Sequence, residues 1–152
     1  MSLFNIFQIA SQGMTAQRER LEAASANLAN SETTRTAEGG AYRRRDIVFE
    51  SAQLERPAFS TFDSTFDSAL AQQSPMQGVR TTTVIAQSDS GARRYDPGHP
   101  DADASGYVTM PDVEPLEETI NMISAARSFE ANSTAFNTAK EMARASLRLG
   151  DA

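Results

Sequence analysis

Residues 3–30 read LFNIFQIASQGMTAQRERLEAASANLAN, and Leu3, Phe7, Ala10, Met14, Gln17, Leu21, Ala24 and Leu28 recur in them at alternating steps of four and three. Seven of these eight are apolar. Such spacing describes a narrow heptad seam on one helix rather than a broad core face. Arg18, Glu19, Arg20 and Glu22 fill the surface between seam positions. Gly13 is a local weakness, costing up to about 1 kcal/mol relative to Ala. Asn30 and Ser31 are suitable stop residues.

A second helix pattern runs from about 113 to 149. Pro115 suits a first helical turn, and Glu117 and Glu118 complement the positive end of the helix. Its seam is read through Met122, Ala126, Phe129, Phe136, Ala139, Ala143 and Leu147. Arg144 and Arg148 suit the negative end, and Gly150 follows them. Within this run, residues 130–142 read EANSTAFNTAKEM, with Ala, Ser, Thr and Asn where a core helix carries Leu and Ile. Two helices with such thin stripes gain little from each other alone. The pattern fits an antiparallel hairpin closing one small domain, and it also fits a coiled coil that packs on neighbouring copies.

The middle of the chain changes period. AYRRRDIVFES (41–51) alternates Ile47 and Phe49 with Asp46, Val48 and Glu50, which predicts a strand. Further strands are expected at 78–87 and 106–110, together making a small antiparallel β-domain. Phe59, Phe62, Phe66 and Leu70 have helical spacing and predict a short amphipathic helix or a surface insertion.

The bulk numbers limit the function classes. The 152 residues suffice for one ordinary domain. A hydrophobic share of 39% and a mean hydropathy of −0.45 allow only a thin core. With no Cys, disulfides, thiolate metal sites and Cys nucleophiles are excluded. The net charge of −6 argues against nucleic acid and anionic lipid as partners. No apolar run is long enough for direct membrane insertion. The N-terminus lacks the basic start of a secretory signal peptide, so none is expected.

Motifs for chemistry are sparse. Asp101, Asp103 and Ser105 fall at positions 1, 3 and 5 of a calcium-loop pattern, with Gly106 at 6 and Asp112 at 12. Pro100 stands where an EF-hand needs its entering helix, and Asp112 replaces the bidentate Glu. A turn cluster held by Asp side chains explains the same residues. A calcium-binding interaction module at 101–112 is therefore the alternative function. His99 is the only His, with no second ligand for zinc and no positioned nucleophile for hydrolysis. No catalytic residue and no cofactor is assigned, and the chain is expected not to be an enzyme. The Arg43, Arg44 and Arg45 cluster suggests a protein or anion contact, or a guard against edge pairing.

Three stretches resemble a known family. ASANLANSETTRTAEGGAYRRRDIVFE (24–50), RRYDPGHPDADASGYVTMPDVEP (93–115) and NMISAARSFEANSTAFNTAKEM (121–142) are similar to the rod and hook proteins of the bacterial flagellar axis. The YDPGHPDAD loop followed by GYV points to their proximal-rod branch. Residues 55–75, longer and richer in Phe, depart from the family pattern.

The resemblance implies a structural subunit of the flagellar basal body in the periplasmic space. It implies helical self-assembly into the drive shaft and a requirement for motility. It also implies delivery by the flagellar type III export apparatus without a cleaved signal peptide. Implied partners are other copies of the chain, other proximal-rod proteins and the export-gate adaptor protein. The fold class expected is α+β, with N- and C-terminal helices forming an antiparallel coiled coil and a small β-rich middle domain. The divisions are 1–35, 36–111 and 112–152. Carried onto this chain, the assembly interface comprises Leu3, Phe7, Met14, Leu21 and Leu28 with Met122, Phe129, Phe136, Ala139 and Leu147. Asn27, Asn30, Asn132 and Asn137 lie in the family signature elements and are expected to cap helix ends or bridge adjacent subunits.

Overall fold

The computed structural model describes residues 3–53, 77–86 and 91–150. The chain is α+β. Helix α1 spans Leu3–Ala29, strands β1 and β2 span Arg45–Gln53 and Gln77–Ile85, β3 and β4 span Arg93–Tyr95 and Tyr107–Thr109, and helix α2 spans Pro115–Gly150.

The two helices lie antiparallel. Phe7 meets Phe136 edge to face at 5.0 Å between ring centroids, and Arg20 Nη2 donates to Asn121 Oδ1 at 2.9 Å. α1 is the central element: α2 packs on one side of it and the β1–β2 hairpin on another. The hairpin pairs Arg45 with Ile85 at one end and Gln53 with Gln77 at the other. Ile47 and Thr81 are half-buried, while Val48 and Val84, on the opposite face, are exposed.

Local chemistry explains the helix limits. At the end of α1, the Asn30 N–H donates to Ala26 O and Asn27 O, and Asn30 Nδ2 donates to Ala26 O at 2.8 Å. Ser31 N–H and Oγ both reach Leu28 O. Three carbonyls that a helix end leaves unpaired, those of Ala26, Asn27 and Leu28, are thereby satisfied. In α2, Pro115 opens the helix with Glu117 and Glu118 in its first turn. The polar residues that looked foreign to a helix bond to its own backbone. Thr134 Oγ1 donates to Glu130 O and Thr138 Oγ1 to Thr134 O, each at 3.0 Å.

The strands form two separate two-stranded antiparallel sheets, β1–β2 and β3–β4. β4 pairs with β3, a strand of three residues too short to show a period. The seam read on α2 is inward only in part: Met122 and Phe136 are half-buried and Ala139 is buried, while other seam positions face outward. Ala125 is fully buried and Ala126 exposed, while Phe129 keeps 41% exposure and Leu147 72%. The helix expected at Phe59–Leu70 lies outside the described residues.

The core is made of very small side chains. Among the described residues, the buried apolar ones are Ala10, Ala16, Ala24, Ala125, Ala139 and Val108. Each buried methyl contributes about 0.8 kcal/mol, against about 1.5–3 kcal/mol for a buried Leu, Ile or Phe. No described Leu, Ile or Phe is buried to that degree, and Leu116, Ile120, Ile123 and Met142 are more than half exposed.

Candidate assembly surface

Two contacts set how closely α1 and α2 approach. Beside Gly13, a Cβ would stand 2.9 Å from Asn132 Nδ2 and 3.3 Å from its Cγ. The missing side chain thus makes room for Asn132, one of the signature asparagines. Phe7 and Phe136 close the other end of the pair. Met14, Leu21, Leu28 and Met122 are half-buried and Ala139 is buried. Leu3 opens α1. Asn137 is exposed.

Asn27 works within the chain. It is 1% exposed and reads the start of β1 as a neighbouring strand would. Its Nδ2 donates to Arg45 O at 2.9 Å, and its Oδ1 accepts from Arg45 N–H at 2.9 Å and from the Tyr42 hydroxyl at 3.0 Å. Burial raises the Tyr42 pKa above its usual value; Arg45 pulls it back and Glu118 adds to the rise. Asn30 closes α1, as described, and Thr33 Oγ1 donates to its Oδ1.

A charged cluster ties α2 to the segment before β1. Arg44 Nε lies 2.8 Å from Glu118 Oε1, with Glu118 2% exposed. The pair is close in distance, but its angle is outside hydrogen-bonding geometry. Arg44 also contacts Glu117 at 3.3 Å and Asp46 at 3.4 Å. Burial opposes the Arg44 charge, yet Asp46, Glu118 and Glu117 outweigh it and hold its pKa above the ordinary value. An open cleft of about 420 Å³ lies beside the cluster, bounded by Arg20, Ala24, Arg44, Ile47, Phe49 and Glu118. Sequence reading named the Arg cluster and both Glu residues but could not join them across 73 positions.

The loop between β3 and β4 spends its carboxylates on donors of its own turn and of the segment after α1. Asp103 Oδ1 accepts from Ser105 N–H at 2.8 Å and Tyr107 N–H at 2.9 Å, and its Oδ2 pairs with Arg93. The Tyr107 N–H, assisted by Ser105 and Arg93, lowers the Asp103 pKa against a smaller opposing effect of burial. Asp101 accepts from Thr34 Oγ1 at 2.8 Å and lies 3.5 Å from Arg35. Among the described residues no three His, Cys, Asp or Glu side chains are grouped to share a metal ion. Asp101 and Asp103, two members of the calcium pattern, are engaged by Thr34, Arg35, Ser105, Tyr107 and Arg93. Gly106, at φ 78°, completes the turn, because a Cβ there would stand 2.9 Å from Tyr95 Cε2. His99 Nδ1 accepts from the Asp101 N–H at 3.1 Å, which makes it part of the same turn.

The described helices include none long and apolar enough to cross a membrane. The arrangement offers small-residue helix faces, displaced large apolar groups and a clasped hairpin, all suited to contacts between proteins.

Comparison with known proteins agrees with that geometry. Residues 7–35 match the family model of the flagella basal body rod protein. Residues 104–149 match the C-terminal model of the flagellar basal body rod FlgEFG proteins. The chain is 39% identical to the flagellar basal-body rod protein FlgC of Borreliella burgdorferi, over 98% of both chains. It is 37% identical to FlgC of Salmonella typhimurium and 34% to FlgC of Bacillus subtilis, each over 99% of both chains.

Proposed function

From the premise that this chain belongs to the flagellar basal-body rod protein family FlgC, we propose how it serves as a subunit. It is a structural component of the rod in the bacterial flagellar basal body. In our reading, α1 and α2 form a coiled-coil inner layer of the proximal rod, with the segment 36–111 outside it. Copies assemble helically with other rod proteins and with the export-gate adaptor below, after delivery by the type III export apparatus. We assign it no catalytic step.

One observation carries this reading. Among the described residues the buried apolar side chains are alanines and Val108, while Leu116, Ile120, Ile123, Phe129, Met142 and Leu147 of α2 remain exposed. Alanine faces permit close helix approach, and the exposed residues gain burial from contact with another chain. Phe129, Asn137 and Leu147 are assigned to contacts with neighbouring subunits. Asn27 and Asn30 fix the subunit's own shape.

The test is genetic and structural. The full chain should restore rods and motility to a bacterium lacking its own FlgC. Deletion of 1–30 or of 123–152 should abolish incorporation into isolated basal bodies. Rods that assemble with both truncated forms would overturn the reading.

A further inference from the structure

The exposed surface of α2 holds two patches at opposite ends. Near its start, Leu116, Ile120 and Ile123 are spaced by four and three and share one stripe, with 68%, 58% and 52% exposure. This stripe is turned away from Glu118 and Ala125, which are buried. Among the described elements α2 packs on α1 alone, so no described strand covers the stripe. Asp112 and Glu114, both exposed, rim it on the N-terminal side, and Glu117 stands beside them.

At the other end α2 outruns α1. Phe7 is level with Phe136 and Gly13 with Asn132, which sets Leu3 level with about residue 140. The remaining ten or so residues extend about 15 Å farther. Lys140, Arg144, Leu147 and Arg148 are exposed there, and their spacing of three and four gathers them on one face. A basic surface with a leucine at its centre thus projects past the described part of α1.

We propose that copies of this chain join head to tail, the basic overhang of one α2 seating on the acidic-rimmed apolar stripe at the start of the next. The inference rests on the rod-subunit reading and names surfaces for it. Charge complementarity selects this pairing. Two overhangs repel one another, as do two acidic rims, whereas overhang and rim attract. The negative end of one α2 also approaches the positive end of the next, so their helix dipoles align. Leu147 gains cover from Leu116, Ile120 and Ile123. Since the two patches differ, the contact is heterologous and propagates into rings or helical rows instead of closing as a pair.

The chain has no Cys, so introduced thiols are its only ones. A variant carrying Ile120→Cys and Leu147→Cys replaces the native protein in cells, and isolated basal bodies are treated with a short bismaleimide. A ladder of linked multimers is expected from the double variant and monomer from each single one. A second pair, Leu116→Cys with Arg148→Cys, reads the same contact if the first is not incorporated. Adding Arg144→Glu and Arg148→Glu to the first pair should lower cross-linking about tenfold, and Asp112→Arg with Glu114→Arg should restore it. Rods containing the double variants without cross-links overturn the head-to-tail contact and leave the rod reading intact. Dimers from the single variants overturn it equally. Absence of the unmodified chain from basal bodies overturns both.

Discussion

Replacing Asn27 with Ala removes the only described partner of a strand edge and of a phenol at once. Arg45 N–H, Arg45 O and the Tyr42 hydroxyl all use that amide. Leaving such groups unpaired in a buried place costs about 1–3 kcal/mol each, partly relieved by water. Asn27→Ala should therefore destabilise the chain by about 2–3 kcal/mol in urea unfolding. Asn27→Asp, which keeps the acceptor and loses the donor, should cost less. Equal losses would mean that the bonds its oxygen accepts from Arg45 N–H and the Tyr42 hydroxyl contribute nothing. Asp103 permits a second test at this scale. Its folded pKa lies below 3.8, held there first by Tyr107 N–H. Because the folded value is lowered, its contribution is complete above pH 3.8 and disappears as pH falls through the folded value. In an NMR titration the Ser105 and Tyr107 amides should shift with a common midpoint below 3.8. Arg93→Ala should raise that midpoint slightly, since the main cause is the backbone. A midpoint at or above 3.8 in the parent chain would contradict the turn geometry. The sequence pointed to both residues, and the Asp turn explained the loop better than a calcium site. It could not show that Asn27 serves Arg45, because the contact spans 18 positions with no local pattern.

Helix existence was written plainly in spacing, and helix facing was not. On α1, the steps of four and three correctly found Ala10 and Ala24. On α2, the seam took in Ala126 and Phe129, which are exposed, whereas the inward line runs through buried Glu118, Ala125 and Ala139 and half-buried Asn132. A face defined by Ala, Asn and a buried Glu has too little hydrophobic contrast to be read by period. Gly13 shows the same problem from the other helix. In isolation it is a weak point, yet in the pair it admits Asn132. Gly13→Ala alone should fail to gain the ~1 kcal/mol that helix propensity offers, because its Cβ crowds the Asn132 amide. In an Asn132→Ala background, the same change should stabilise by about that amount. Thermal unfolding of the four chains in this cycle measures the coupling. Additive effects would show that the close approach is energetically irrelevant. β3 escaped sequence reading for a simpler reason: three residues, Arg93–Tyr95, cannot display an alternation.

Over the whole molecule, holding interactions are concentrated at one end. Arg44 grips Glu117 and Glu118, Arg20 reaches Asn121, and Asn27 fastens β1 near the same place. Farther along α2, the contacts are Ala139, Phe136 and a glycine-sized gap filled by Asn132. The overhang has exposed Met142 and Leu147 and no described part of α1 beside it. Local stability follows buried contacts, so hydrogen exchange in the free chain should be slowest near Glu118–Ala125. It should quicken beyond Asn132 and be fastest after Lys140. Arg44→Ala tests what anchors the slow end. Breaking a fully buried ion pair costs about 3–5 kcal/mol, but Arg44 retains 24% exposure and Glu117 56%, so about 2 kcal/mol is expected here. That corresponds to about thirtyfold faster exchange in the first turns of α2, with little change in the last. In rods the overhang should become protected, while the backbone of the anchored end changes least, because it is already held within the free chain. Uniform protection along α2 in the free chain, or an overhang that still exchanges freely in the rod, would break the link between the small-residue core and assembly.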